Sequence, residues 1–389
     1  MPRRQLYTFT KNKSRIREYR ESGDLMFEKR LRKLRNLGDE QGINGFFLAS
    51  EPNMRYFTGF SALAIERLAS IVIPVNAKEP VLIVPKLEEE KAVNLSFFKN
   101  IRSYTDAENP AKLLGEILNE LKLTKGTLGI ESFLPFKFYK MLKEAAPSLK
   151  VKEASDVFQK LRSIKSTEEI NLMKRAAKIV IKGIKAGIET AKAGTSELSI
   201  AFEIERKIKE SSGESIPFCI VLSGKNSALP HGNTSKRKIR RGDSVVMDIG
   251  ATFKGYHADV TRTVFVGEAS QKQRKVYAIV LRAQKSAVKF VKPQVKACEV
   301  DETARKIITS AGYGKFFTHR TGHGLGLEVH EEPYISQTNE TVLEPGTTFT
   351  VEPGIYLPNK FGVRIEDDIA VTEKGRTVLS KLPKNLLIV

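Results

Sequence analysis

The sequence predicts a two-domain α/β protein. Its 389 residues are more than one ordinary hydrophobic core accommodates. Short apolar strand patterns alternate with amphipathic helical patterns along most of the chain. Hydrophobic residues make up 41% of the chain and charged residues 28%, which is typical of folded globular proteins. No apolar run reaches the roughly 18–20 residues that a membrane-spanning helix needs, so we expect no membrane partner.

The first domain is predicted over residues 26–157. Its leading helix is indicated by leucines at helical spacing, which are Leu31, Leu34 and Leu37. Two β-branched runs, 70–74 and 81–84, are separated by N-A-K-E-P and predict a hairpin. Helical and strand patterns then alternate through a short strand at 128–130, so we expect a small α/β domain.

The second domain is predicted over residues 158–389. The segment S-T-E-E at 166–169 is a capping box that predicts the start of a long helix. Gly194 ends this helix, and a second helix follows. The same order returns about a hundred residues later, with a long helix after Ser270, a break near Pro293 and another helix. We interpret this repetition as a weak internal duplication that gives two α/β halves.

Charge and cysteine content restrict the functional class. The net charge is +20, and residues 1–36 alone carry 12 Lys and Arg against 4 Asp and Glu. Residues 1–25 are therefore interpreted as a basic extension, and 236–241 form a second basic cluster. No recognisable nucleic-acid module accompanies them, so we do not expect specific nucleic-acid binding. Cys219 and Cys298 show no CxxC spacing, which favours a reducing, cytoplasmic location.

Histidines and carboxylates concentrate in two stretches of the second domain. The first 230 residues contain no histidine, and four of the five histidines fall within 247–263 and 318–366. The candidate ligands are His323 and four acids predicted near the ends of strands: Asp248, Asp259, Glu352 and Glu366. Converging carboxylates repel one another unless a cation neutralises them. One imidazole and four carboxylates suit Mn²⁺, Co²⁺ or Fe²⁺, with Zn²⁺ as a further choice. Glycines flank His323, and we expect them to let the backbone approach a ligand.

The order of these five residues resembles metallopeptidase family M24, which includes methionine aminopeptidase, aminopeptidase P, prolidase and creatinase. The segments N-M-R-Y-F-T-G-F and V-H-E-E-P are similar to the proline-specific and creatinase branch. The resemblance covers nearly everything from Leu25 to the C-terminus. It implies a C-terminal pita-bread (creatinase/aminopeptidase) fold, with a smaller N-terminal α/β domain of the creatinase type.

The resemblance also implies which of two metal ions each of the five residues would bind. Asp248 would bind one ion, and Asp259 and Glu366 would bridge both. His323 and Glu352 would bind the other ion. Glu352 would in addition act as the general base toward the catalytic water.

Further roles carry over to residues around this centre. His231, in L-P-H-G-N, matches the histidine that supports the developing oxyanion. His319 and His330 match positions near the substrate and the leaving group. Arg364 matches an arginine that steadies the metal site or the substrate carboxylate, for which a guanidinium fork is suited. His257 matches no role and is expected to be structural.

The implied activity is hydrolysis of the bond that precedes proline, with two divalent ions per subunit, most simply Mn²⁺ or Co²⁺, in a homodimer. Both a dipeptidase (prolidase) and an aminopeptidase P fit, and the chain length favours the dipeptidase. One alternative is a catalytically silent binding module, which the charge of +20 would favour. Another is a creatinase-like hydrolase of a small non-peptide substrate. Relatives of both alternative kinds lack part of the ligand set, whereas all five residues are present here.

Overall fold

The computed structural model describes residues 25–62 and 66–389, so residues 1–24 of the predicted extension lie outside the described residues. The chain divides into two compact units between Leu161 and Arg162. The predicted boundary at 157/158 falls inside a continuous helix, Ser155–Ser163, and its position remains a prediction. In the part of the chain that the structure describes, no helix combines the length and apolar character that a membrane crossing requires.

The N-terminal unit is built on a six-stranded mixed sheet with strand order β4-β3-β2-β1-β5-β6. The strands are β1 (Gly45–Leu48), β2 (Ser70–Pro74), β3 (Val81–Pro85), β4 (Ile101–Tyr104), β5 (Thr127–Ile130) and β6 (Lys150–Glu153). The helices are α1 (25–40), α2 (Glu51–Thr58), α3 (Glu89–Leu95), α4 (Pro110–Glu120), α5 (Phe136–Ala145) and α6 (Ser155–Ser163). β2 and β3 pair antiparallel, which confirms the predicted hairpin.

The N-M-R-Y-F-T-G-F segment forms most of α2 and the turn that follows it. Ser50 caps this helix, and Glu131 fixes the cap because its carboxylate accepts hydrogen bonds from the backbone N–H groups of Ala49 (2.7 Å) and Ser50 (3.0 Å). Met54 and Phe57 are fully buried. This segment therefore stabilises the core of the N-terminal unit.

The C-terminal unit confirms the predicted repetition of a helix pair followed by strands. Its helices are α7 (Thr167–Thr190), α8 (Glu197–Glu210), α9 (Gln271–Phe290) and α10 (Ala297–Ser310). Its strands are β7 (Cys219–Ser223), β8 (Ser244–Phe253), β9 (Tyr256–Phe265), β10 (Gly322–Gly324), β11 (Glu331–Ile335), β12 (Thr348–Val351), β13 (Gly354–Leu357), β14 (Phe361–Arg364), β15 (Asp367–Thr372) and β16 (Gly375–Val378). The predicted capping box at Ser166 begins α7.

Each half of this unit has its own hydrophobic core. In the first half, α7 and α8 pack against the three-stranded sheet β7-β8-β9, with Ile184 and Met247 fully buried. In the second half, α9 and α10 pack against strands that include the five-stranded sheet β11-β10-β12-β15-β16, with Phe349 and Ile369 fully buried. Burial of this apolar surface stabilises the strands that carry the candidate ligands.

Candidate metal centre

The β8–β9 hairpin places two candidate acids on one face of a sheet. Asp248 lies opposite Thr261, and Asp259 lies opposite Gly250, which is two residues beyond Asp248. Residues two apart on a strand share a face, so the two carboxylates point to the same side. We expected Asp248 at a strand end. It is instead the fifth residue of the ten-residue β8, because the hairpin continues beyond it to the turn at Gly255.

The second pair of candidate ligands comes from β10 and the end of β12. Thr350 links them, since its hydroxyl accepts from the His323 backbone N–H (3.1 Å) and donates to Glu352 Oε1 (3.0 Å). The flanking glycines do not serve the ligand approach that we expected. A Cβ at Gly322 would lie 1.8 Å from the carbonyl oxygen of Thr350, and one at Gly324 would lie 2.4 Å from strand β11 backbone oxygens. They are required because neighbouring strands approach closely.

Three of the predicted ligands meet in one buried cluster. Asp259, His323 and Glu366 each offer a ligand atom, and these atoms lie within 4.8 Å of one another. His323 Nε2 lies 3.6 Å from Asp259 Oδ2 and 3.3 Å from Glu352 Oε1. His323 Nδ1 lies 3.0 Å from the Gly324 carbonyl oxygen, which fixes the ring with Nε2 toward the acids. Glu366 lies between β14 and β15.

The hydrogen bonding of this cluster fits a bound cation. Among the described residues, Asp259 Oδ1 and Glu366 Oε1 are buried without a hydrogen-bond partner. Buried polar atoms are nearly always satisfied, so such an acceptor pair implies a missing partner. Burial, and then neighbouring carboxylate charge, raises the pKa values of Asp259 and Glu366 well above their usual range. Burial also lowers the pKa of His323 to about 3, which leaves a neutral imidazole able to bind a metal.

Asp248 stands beside this cluster and is held by Arg364. Arg364 Nη2 donates to Asp248 Oδ2 (2.5 Å), Nη1 donates to Tyr356 Oη (2.9 Å) and Nε donates to Thr261 Oγ1 (3.1 Å). The guanidinium is therefore buried and directed at protein groups. Each of the three guanidinium nitrogens therefore donates to a protein group, and the role of Arg364 at the metal site or toward a substrate carboxylate stays a prediction. The role of Asp248 as a metal ligand remains a prediction.

Thr261 is a site residue that the sequence did not single out. Its Oγ1 lies 3.0 Å from Asp248 Oδ1 and 2.6 Å from Glu366 Oε2, so one hydroxyl joins two candidate ligands. In D-V-T, it follows Asp259 by two residues and shares that face of β9. That spacing could have identified it once the strand was predicted.

A second group of unpredicted residues supports the cluster from behind. The Asp259 backbone N–H donates to the Asp368 carboxylate at 3.3 Å. Arg262 Nη1 donates to the Glu366 carbonyl oxygen (2.5 Å), and its Nη2 donates to Asp367 Oδ1 (2.8 Å). These bonds fix the backbone at Asp259 and Glu366, the two predicted bridging acids. The protein itself therefore orients both carboxylates.

His319 and His330 lie beside the cluster. His319 Nε2 is 2.9 Å from Tyr356 Oη, and burial lowers the pKa of His319 to about 4. This bond ties His319 to Arg364 through a shared tyrosine hydroxyl, and Tyr356 is a further residue that the sequence did not indicate. The His330 ring packs edge-on against the His323 ring, with centroids 4.1 Å apart. His330 is less buried than His319, and burial lowers its pKa.

The remaining two histidines differ in exposure. His231 is exposed in the loop before β8, and its charge contributes to lowering the pKa values of His319 and His330, where burial is the larger cause. Its predicted oxyanion role stays a prediction. The His257 backbone N–H donates to the Gly326 carbonyl oxygen at 2.8 Å. The structural or supporting role that we expected for the His257 side chain stays a prediction.

Known proteins resemble both units of the chain. Residues 171–373 match metallopeptidase family M24, and residues 30–164 match the creatinase/prolidase N-terminal domain. The chain is 42% identical to the Xaa-Pro dipeptidase of Pyrococcus furiosus over 92% of this chain and 100% of that protein.

Solved structures agree with the sequence matches. The prolidase of Thermococcus sibiricus has a TM-score of 0.88 and 40% identity, covering 93% of this chain and 99% of that one. The X-Pro aminopeptidase of Thermotoga maritima has a TM-score of 0.82 and 35% identity, and the match covers 90% of this chain and 98% of that one. These neighbours confirm the predicted pita-bread fold with its N-terminal α/β domain. The chain belongs to metallopeptidase family M24 and carries the creatinase/prolidase N-terminal domain of that family's proline-specific branch.

Proposed function

We propose that this protein is a metal-dependent Xaa-Pro dipeptidase. The observation that carries the proposal is the buried cluster of Asp259, His323 and Glu366, in which two carboxylate oxygens have no hydrogen-bond partner among the described residues. Isolated buried carboxylates are costly unless a cation neutralises them. The cluster is therefore arranged to hold divalent metal, with Glu352 and Asp248 adjacent to it.

Each residue of the centre has a separate task in this proposal. A bound divalent ion polarises a carbonyl group and lowers the pKa of water toward neutrality. Asp259, His323 and Glu366 would hold that metal. Burial raises the pKa of Glu352 to about 7, so this carboxylate can accept and return a proton near neutral pH. Thr350 orients Glu352 through a 3.0 Å hydrogen bond.

The choice of a dipeptide substrate rests on the relatives. The Pyrococcus furiosus protein is named an Xaa-Pro dipeptidase and the Thermococcus sibiricus structure a prolidase, at 42% and 40% identity. Aminopeptidase P activity is the second candidate, because the Thermotoga maritima X-Pro aminopeptidase is 35% identical over 90% of this chain. The silent binding module and the creatinase-like hydrolase are disfavoured, since the cluster retains the metal-binding donors that such relatives lack.

The test begins with purified protein that has been stripped of metal and reloaded with Mn²⁺ or Co²⁺. Cleavage of Ala-Pro, Leu-Pro and a longer Xaa-Pro-Xaa peptide is followed by mass spectrometry. We expect release of proline from the dipeptides. Removal of only the N-terminal residue from the longer peptide would instead establish aminopeptidase P activity. If no peptide is cut although metal is bound, the peptidase proposal is wrong.

Variants connect the activity to the cluster. Asp259→Ala and Glu366→Ala should both lose bound metal, measured by inductively coupled plasma mass spectrometry, and should lose cleavage with it. Glu302→Ala serves as the control, because Glu302 is an exposed acid on α10 that pairs with Lys306. Normal metal content in both cluster variants would contradict the assignment.

The finer features are proposals of the same kind. The donor set suits Mn²⁺ or Co²⁺, with Fe²⁺ and Zn²⁺ as alternatives, and metal analysis of protein purified without chelators tests this. The family resemblance supports a homodimer with two ions per subunit, which sedimentation and metal stoichiometry test. The absence of a cysteine framework supports a cytoplasmic location, which cell fractionation tests.

A further inference from the structure

Arg320 is a cation beside the metal centre, and within the described ranges of the chain it forms no ion pair. Its guanidinium carbon lies 4.0 Å from the centroid of the Tyr334 ring. Among the described residues, no carboxylate lies within ion-pairing distance of it. An arginine that stacks on an aromatic face keeps its donor edges open to a planar anion. This arrangement differs from that of Arg364, whose donors are used within the protein.

The backbone around Arg320 is fixed on both sides. Helix α10 supplies the supports: Arg305 donates to the carbonyl oxygens of Phe317 (3.2 Å) and His319 (2.9 Å), and Asp301 accepts the Thr321 N–H (3.0 Å). Tyr334 lies on β11, which pairs with β10 at the site. The guanidinium is therefore carried on a rigid segment and positioned by a ring, as a binding group requires.

Arg320 lies next to a predicted ligand, because it precedes Thr321, whose carbonyl oxygen accepts the Glu352 backbone N–H at 2.8 Å. By the family resemblance, the preceding His319 would lie near the substrate and the leaving group. The positive charge of Arg320 acts with burial, the larger cause, to lower the pKa of His330. The same charge acts on His323 and Glu352, where burial is again the larger influence on each pKa. The Arg320 charge therefore acts on the predicted ligands and on the His330 ring, which packs against His323.

An Xaa-Pro dipeptide has an anion at a fixed place. Its carboxylate is bonded to the proline Cα, which is bonded to the nitrogen of the cleaved amide. When that nitrogen faces the leaving-group side, the carboxylate must lie within one residue's length of the metal centre. In a longer peptide, the same carbon carries a neutral amide. A cation at this place therefore distinguishes a dipeptide from a longer chain.

We propose that Arg320, held against Tyr334, binds the C-terminal carboxylate of the substrate and gives the site its preference for dipeptides. This inference rests on the proposed Xaa-Pro peptidase function and names the residue that determines substrate length. Tyr334 is a positioning residue, because its ring holds the guanidinium without touching the substrate.

The experiment compares Leu-Pro with Leu-Pro amide, which lacks only the charge. With the Mn²⁺-loaded protein, we expect Arg320→Gln to lower kcat/KM for Leu-Pro by about 10- to 100-fold, the range for a hydrogen bond to a charged group. The value for the amide should change less than threefold. Tyr334→Phe keeps the ring and should resemble wild type, whereas Tyr334→Ala should show a smaller loss of the same kind. Arg282→Gln, an exposed charge change on α9, is the control.

A binding measurement separates this inference from the peptidase proposal. Calorimetric titration of the metal-loaded protein with L-proline and L-prolinamide needs no cleavage. We expect at least tenfold tighter binding of L-proline, lost in Arg320→Gln. This preference would support the carboxylate site even if neither peptide were cut. An equal loss with Leu-Pro and its amide, or equal binding of proline and prolinamide by the wild-type protein, would overturn the role of Arg320.

Discussion

Glu331 is a buried acid whose removal should weaken the C-terminal unit. Its Oε1 accepts from Lys165 Nζ (2.5 Å), and its Oε2 accepts from Arg162 Nη2 (2.7 Å). All three side chains are at most 6% exposed. The two cations lie at and just beyond the end of α6, and Glu331 begins β11 directly after His330. This ion cluster therefore connects the start of the unit to a strand beside the metal centre.

The pKa of Glu331 gives the size of the effect. Burial alone would raise it, but Lys165 and Arg162 outweigh burial and lower it from 4.5 to about 2. The difference between these two pKa values corresponds to about 3 kcal/mol in the free energy of unfolding. Removal of one partner from a buried ion pair costs about 3–5 kcal/mol, which agrees. Because the pKa is lowered, this contribution is present above pH 4.5 and is lost as the pH falls toward 2.

Urea unfolding of the metal-free protein at pH 7 tests this magnitude. We expect Glu331→Gln to lower the free energy of unfolding by about 3 kcal/mol, because buried Lys165 loses its counter-charge and buried Arg162 keeps only that of the partly exposed Glu328. Glu302→Gln removes the acid of an exposed pair with Lys306 and should cost less than about 1 kcal/mol. Between pH 4.5 and 2, the wild-type protein should approach the variant. A Glu331→Gln protein within 1 kcal/mol of wild type at pH 7 would refute the reasoning.

Three further outcomes are expected. Thr261→Val should weaken metal binding by about 10- to 100-fold, because one hydroxyl orients two candidate ligands; an unchanged Kd in a metal titration would contradict this. Relative to Glu352→Gln, the metal-free wild-type protein should lose about 3 kcal/mol of stability as the pH rises from 4.5 to 7, because burial raises the pKa of Glu352 to about 7 and ionisation then disfavours the folded state. Urea unfolding across that range should show the loss without metal and not with Mn²⁺. Deletion of residues 1–24 should leave kcat/KM within about twofold; a large loss at unchanged Tm would place that segment at the site.

Local patterns in the sequence were sufficient for much of the fold. The capping box at Ser166 starts α7 through bonds within a few residues, so that start is readable without a structure, whereas the helix ends at Thr190, before the predicted stop at Gly194. The hairpin of β2 and β3 is likewise a local feature. The linear order of the candidate ligands indicated the family, because each follows or lies within an apolar strand pattern that a short window reveals.

The sequence by itself determined the fold class, the family and the set of candidate ligands, and only the tertiary structure decided which groups those residues contact. Arg364 and Asp248 are 116 positions apart, and nothing local indicates that they pair. The glycines that flank His323 are required because strands β11 and β12 approach them too closely for a side chain. Such contacts follow from packing between segments distant in the chain, and this packing directs the Arg364 donors at protein groups while it places Arg320 against the Tyr334 ring.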